Sequence, residues 1–406
     1  MESQGGLKRS LSFPLLVLYG LETTIGAGIY VLIGKVAGAA GVLAPVSFTG
    51  AGVIAGFTAL SFAELSARFP KSAGEAVYVR EGLNSNVLAL IVGLLVIMAG
   101  TFSAAAIAVG AAGYILEFLD WHLSGVAIVL VAFLGLAAAW GVMESVGLAC
   151  VFTLIEIAGL AMIIVVVGSG MPDISDRVAD VQLSADGWAW NGVFAGIVLA
   201  FYAFIGFEDM VNVAEEVKDV RSILPRAIIV TLAITLVIYL LISGIAVLAV
   251  DTRELAESNA PLAYLFGKYG GSSLTITIIA IFATTNGALI QIIMASRVLY
   301  GLSAQGAIPA GIGRINQKTR TPIVATAMVT ILVVILAGGF PIEQLAEATS
   351  VIALTIFTLV NIALICVKRR TDADYNGFRL PIAIPCLGVV TSASALIYEA
   401  VSLAGL

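Results

Sequence analysis

Eleven runs of about 20 predominantly apolar residues, the length a helix needs to cross a hydrocarbon core, occupy most of this sequence. Their expected bounds are 14–37, 42–66, 87–116, 123–141, 147–169, 192–213, 226–250, 272–301, 322–340, 346–366 and 381–400. A chain divided in this way is an all-α polytopic membrane protein, because a segment in lipid must satisfy its own backbone hydrogen bonds. Composition agrees: 60% of the 406 residues are hydrophobic, 11% are charged and the mean hydropathy is +1.08. The first run follows Lys8 and Arg9, but it is too long for a signal peptide and lacks a small-residue cleavage site.

Charge sets the orientation. With the N-terminus inside, sixteen of the 20 basic residues fall on the inner side, and only Lys35, Arg177, Arg253 and Lys268 fall outside, the bias that the positive-inside rule expects. The C-terminus then faces outward from a plasma membrane. A net charge of −6 offers no basic surface for a phosphate backbone, so no nucleic-acid partner is expected. Three scattered cysteines and one histidine leave neither a disulfide framework nor a zinc site. No nucleophile, histidine and acid constellation points to an enzyme, and no cofactor is expected. Residues 70–82, PKSAGEAVYVREG, read either as an amphipathic inner-face segment or as a solvated loop. The stretches 170–191 and 251–271 read as long outer loops.

Two spans carry polar and glycine interruptions at mid-depth. In the first, GLETTIGAGIYVLIG brings Thr23, Thr24, Gly26 and Gly28; in the sixth, LAFYAFIGFEDM brings Tyr202, Ala203, Gly206, Glu208 and Asp209. These are corresponding members if spans 1–5 and 6–10 form two inverted halves, and such paired interruptions mark the binding site of a transporter. A G-x-G in a membrane helix also serves close packing, which is the alternative reading for Gly26 and Gly28. An unwound first span would offer amide N–H groups to a carboxylate, and an unwound sixth would offer carbonyls to an ammonium. A molecule with both groups about one bond apart is an amino acid. The expected organisation is a cytoplasmic N-terminus (1–13), a first five-helix repeat (14–169), an extracellular loop (170–191), a second repeat (192–366), and an inner loop with the eleventh span (367–406).

The stretches IGAGIYVLIG, FYAFIGFED and AEEVKDVRSILPRAI, with GVMES at 141–145, ASRVLYGLSAQGAIP at 295–309 and TPIVA at 321–325, resemble the amino acid-polyamine-organocation transporters. The likeness is greatest to bacterial and archaeal relatives of the cationic amino acid transporters, and it covers roughly residues 10–400. It implies a LeuT-type fold of 5+5 inverted repeats with spans 1 and 6 broken, plus one additional span. Carried over by motif, the carboxylate contacts fall on Thr24, Ala27 and Gly28 around Gly26, and the ammonium-binding carbonyls on Tyr202, Ala203 and Ile205. Tyr202 sits where an aromatic ring of the family covers the substrate as a gate.

The sequence departs from this pattern twice. Many proton-coupled relatives have a lysine in span 5, twelve residues after the glutamate of GVMES; here that position is Glu156. Glu22 stands where relatives have a small residue. An intramembrane acid is costly unless protonated, paired or bound to a cation, so both are candidate coupling-ion residues. Two such acids share a proton or ligate sodium with Thr284 and Thr285. The resemblance implies secondary amino acid transport with a proton or another cation, or exchange on the same fold, with a channel or sensor further off. The substrate expected is a neutral amino acid, with membrane lipid as a further partner; an accessory subunit or an oligomer is left open. Glu208 is expected to brace the sixth span or to contact the substrate, Glu64 and Arg68 to pair across a helical turn or to form an inner-gate contact, and Met98, Phe102 and Ser103 to line a side-chain pocket or simply pack.

Overall fold

The computed structural model describes residues 11–71, 74–141, 146–171, 189–316, 318–371, 375 and 377–403. Pro14 opens the first helix, where its missing N–H costs nothing, and α1 runs from Phe13 to Ala40. A 3-10 turn at Gly41–Leu43 leads into α2 (Ala44–Arg68). Then come α3 (Gly74–Leu83), α4 (Asn86–Ile115), α5 (Leu123–Trp140), α6 (Val146–Gly170) and α7 (Ala189–Tyr202). A 3-10 segment, Phe207–Glu216, precedes α8 (Val220–Ala249), α9 (Thr252–Glu257), α10 (Pro261–Lys268) and α11 (Ser273–Ala304). The chain closes with α12 (Ile323–Gly339), α13 (Ile342–Thr371) and α14 (Ala383–Leu403). Among the described residues there is no strand; Leu11 and Val217 form one isolated parallel bridge.

Nine segments of the described chain are long and apolar enough to cross a membrane. Phe13–Arg68 counts once among them although the 3-10 turn divides it, and the 17-residue apolar helix α12 is shorter than the rest. The chain is thus an all-helical, multi-pass membrane protein. Large apolar side chains face outward on α5, with Phe133, Leu136 and Trp140 at 65%, 72% and 81% exposure, a surface suited to lipid. Inside, small residues let helices approach closely: α4 presents an unbroken buried run from Ser103 to Tyr114.

Three expectations need correction. α1 is helical throughout Thr23–Gly28, so the first span is not broken; its threonines return their hydroxyls to the helix, Thr24 to the Gly20 carbonyl at 2.7 Å and Thr23 to Gly20 at 3.1 Å. Residues 251–271 are not a simple loop but carry α9 and α10, whose Leu255, Leu262 and Leu265 are fully buried. Met98 is 44% exposed and faces out of the bundle. The amphipathic segment folds over Gly74–Leu83 as α3, with Tyr78 buried against Phe62 at 5.9 Å between ring centres. Residues 142–145 of the GVMES motif, with Glu144, and residues 172–188 of the first long loop lie outside the described residues.

Candidate functional site

The sixth span is interrupted for local reasons. α7 ends at Tyr202, and successive turns carry the chain through Ala203–Phe204–Ile205, with N–H groups reaching carbonyls three residues back at 3.0–3.1 Å. Gly206 then adopts φ 129°, a conformation that only glycine takes without strain. Glu208 Oε2 accepts from the Gly206 N–H at 2.8 Å, and Phe207 is held in an aromatic cluster with Phe62 and Phe357 at 5.7 and 5.4 Å. Glu208 therefore braces the interruption, as its sequence position implies.

α1 crosses this turn in direct contact. A Cβ on Gly28 would overlap the Ala203 backbone, and one on Gly206 would overlap the Thr23 carbonyl. The Thr23 hydroxyl also reaches the Gly206 carbonyl at 2.9 Å. Tyr239 of α8 lies beneath the crossing and presents its hydroxyl to the Thr24 carbonyl at 2.9 Å and the Ala203 carbonyl at 2.8 Å. Tyr202, 5% exposed, is tied to α4 by a 3.1 Å hydrogen bond with the Ser103 hydroxyl. The glycines of the first span thus serve close packing here. Thr24, Gly28, Ala203 and Gly206 are brought together, with Tyr202 and Ile205 alongside; the side chain of Ala27 lies outside the described residues.

The two unusual acids sit on the other side of α1. Glu156, 2% exposed, projects from α6 onto Gly26: a Cβ there would stand 3.4 Å from Glu156 Oε2 and 3.5 Å from Oε1. Tyr30 donates to the Glu156 carbonyl at 2.8 Å. Glu22, 5% exposed, lies one helical turn before Gly26, and its Oε1 accepts from the Asn286 side-chain amide of α11 at 2.6 Å. Of the two neighbouring threonines, Thr284 returns its hydroxyl to the Ala280 carbonyl at 2.6 Å, while the buried Thr285 hydroxyl makes no hydrogen bond among the described residues. Two carboxylates thus lie buried along one face of α1, one of them bonded to an amide of α11, and such groups suit a proton or a cation.

Access is unequal at the two ends. At the end rich in basic residues, a vestibule of about 710 Å³ opens between Tyr19, Arg80, Asn212, Glu216, Met294 and Arg297. At the other end Lys35 closes α1 onto α13 through Glu343 at 3.1 Å and onto the Ala256 carbonyl at 3.0 Å. The Lys35 and Glu343 side chains are 25% and 37% exposed, so the pair is worth at most about 1 kcal/mol. Lys35→Ala is expected to raise the rate of thiol labelling of Ser258→Cys, in the adjoining pocket, by up to about fivefold in a Cys386→Ser background. An unchanged rate would show that the pair does not hold this end closed.

Several contributors were not anticipated from sequence. Asn286 follows two threonines that drew attention first, although an amide in an apolar span is itself a signal. Tyr239 resembles any interfacial aromatic residue until its partners are known. Glu64 and Arg68 pair at 2.6 Å as expected, but Lys368 of α13 joins them at 2.8 Å, and Glu64 also accepts from the Leu380 N–H at 2.9 Å. Arg68 lies over the Tyr375 ring at 4.0 Å.

Comparison with known proteins gives a family match over nearly the whole chain: the model described as amino acid permease covers residues 11–404. The chain is 28% identical over 400 residues to the branched-chain amino acid permease BcaP of Bacillus subtilis, covering 94% of this chain and 84% of that protein. It is 30% identical over 384 residues to the vacuolar cationic amino acid transporter 4 of Arabidopsis thaliana, and 29% over 391 residues to the mitochondrial cationic amino acid transporter 3 of the same plant. In both plant comparisons the chain spans 64% of the relative's length.

Proposed function

We propose that this chain, which belongs to the amino acid permease family, is a secondary transporter that carries amino acids inward by alternating access, coupled to a proton or another cation. The observation that carries this reading is the crossing of α1 over the turn after α7, with its own Glu22 and the Glu156 of α6 buried at the opposite face. Backbone carbonyls of Tyr202, Ala203 and Ile205 suit an ammonium group, and the Thr24 hydroxyl, once released from the Gly20 carbonyl, suits a carboxylate; the α1 amides of Gly26–Gly28 join it only where that turn of helix opens. Substrate entry then requires α1 to separate from Ala203, which releases the Tyr239 hydroxyl from one of its two carbonyls. Tyr202 acts as the covering ring. The basic end faces the cytoplasm, so the open vestibule is the inward route, and the substrate is neutral. The named relatives include both branched-chain and cationic substrates, which brackets the side chains to be screened.

Uptake by purified protein in proteoliposomes, under imposed proton and sodium gradients, tests the reading. Wild type is expected to concentrate substrate with one of the two gradients. Glu156→Gln is expected to retain exchange while losing at least tenfold of that concentration, because the amide keeps the volume but cannot take up or release a charge. A wild type that ignores both gradients yet exchanges internal for external substrate would make the protein an exchanger. A Glu156→Gln variant equal to wild type would move the coupling site to Glu22.

A further inference from the structure

Beside the Ala203–Gly206 turn, toward the basic end, lies a small cavity of about 40 Å³, room for a few water molecules. Its walls include three carboxylates: Glu75 from α3, and Glu208 and Asp209 from the 3-10 segment. Ser103 of α4 and Gln291 and Met294 of α11 complete its polar and inner sides. Three ionised carboxylates around so small a space repel one another strongly, and at least one must be neutral. The donors decide which one. Glu208 accepts from the Gly206 N–H at 2.8 Å, and Asp209 accepts from the side chain of Gln291; each bond offsets part of the burial cost of an ionised carboxylate. Glu75 is only 4% exposed, and among the described residues no other residue donates a hydrogen bond to it. A carboxyl buried in this way is neutralised at least cost by a proton.

We propose that this cavity is a proton-binding site in which Glu75 carries the proton, exchanged with the vestibule whose Met294 wall it shares. Its place in a transport cycle rests on the function proposed above; the site itself does not. α3 lies outside the apolar spans, and burial first, then the charge of Asp209, pushes the Glu75 carboxyl up to about 8, with its own backbone N–H opposing. The groups around it are Tyr78 and Arg80 on α3 and Glu208, Asp209 and Glu216 on the 3-10 segment. Tyr19 on α1 and Arg297 on α11 stand in the adjoining vestibule. α4 and α13 contribute Ser103 and apolar side chains to the cavity wall.

Infrared difference spectra of the purified protein, recorded from about pH 6 to about pH 10, test this without any transported substrate, so the result is independent of the uptake experiment. Wild type is expected to lose a carboxylic acid C=O band with a midpoint near 8. That band should be missing from Glu75→Gln and present with a shifted midpoint in Glu75→Asp, which covers the case of a poorly folded glutamine variant. Thermal unfolding gives a second readout. A folded-state carboxyl raised from 4.5 to about 8 confers stability that is complete below the lower value and is lost as pH rises through the upper one. The Tm of wild type should therefore fall over that window relative to Glu75→Gln. The same band persisting in Glu75→Gln would overturn the proposal, as would its removal from wild type by sodium at constant pH, which would make the cavity an alkali-cation site.

Discussion

Gly206→Ala is expected to reduce transport by at least about a hundredfold while leaving the protein in the membrane. The substitution meets two separate penalties. At φ 129° an L-side chain is strained by about 1–3 kcal/mol, and its methyl group would overlap the Thr23 carbonyl, adding about 1–3 kcal/mol of overpacking. Pushing α1 away from the turn relieves the overlap but not the backbone strain, and it displaces Thr24 and Gly28 from Ala203. Uptake and substrate-dependent thermal shift, measured together on purified protein, check the prediction. A variant with wild-type uptake would show that the contact between α1 and the turn is not part of the working site.

Glu64→Ala has the next largest expected effect, and on stability. Glu64 is fully buried and receives Arg68 at 2.6 Å and Lys368 at 2.8 Å, whose side chains are 4% and 3% exposed. Removing one member of a buried ionic cluster costs about 3–5 kcal/mol, mostly because the remaining charges lose their compensation. The value expected here lies near 3 kcal/mol, since Arg68 keeps its contact with the Tyr375 ring. The cluster joins α2 to α13 and, through the Leu380 N–H, to the entry of α14, so its loss should loosen three helices at that end. Unfolding in detergent followed by tryptophan fluorescence measures the effect. The double variant Glu64→Leu with Lys368→Met should recover part of the loss, because neutral side chains of similar size need no partner.

Much of this arrangement is legible in the sequence because lipid imposes a simple rule on backbone and side chains. Ten of the eleven apolar runs each fall on one helix to within two residues at their ends; the sixth is split after Tyr202, an interruption announced by a glycine followed by two acids. The first span shows the limit of the same reasoning. Gly26 and Gly28 signal an approach between backbones, and a helix uses that approach equally for unwinding around a ligand or for packing on a neighbour. Only the position of Ala203 decides, and that is a tertiary fact. Asn286 escaped notice because its partner Glu22 lies 264 residues away in sequence. Glu75 is one of several charges in a segment that reads as amphipathic or solvated, and only the packing of α3 brings it to the cavity that the acids of the 3-10 segment line. The helices of 251–271 were hidden by their length, since six and eight residues are too few for a clear periodic pattern.

The bridge between Leu11 and Val217 constrains how this molecule can move. Leu11 N–H donates to the Glu216 carbonyl and Lys218 N–H to the Leu11 carbonyl, both at 3.0 Å, so the start of α1 is fastened to the end of the 3-10 segment. From that fastening to Gly28 the helix extends about 24 Å at 1.5 Å per residue. A stiff rod pinned at one end behaves as a lever: tilting α1 by about 5° would open about 2 Å at Gly28 over that length, without sliding either element along its axis. Clearance beside Ala203 then becomes a question of angle rather than of unfolding, and a rigid helix can uncover the turn while every one of its own hydrogen bonds stays intact.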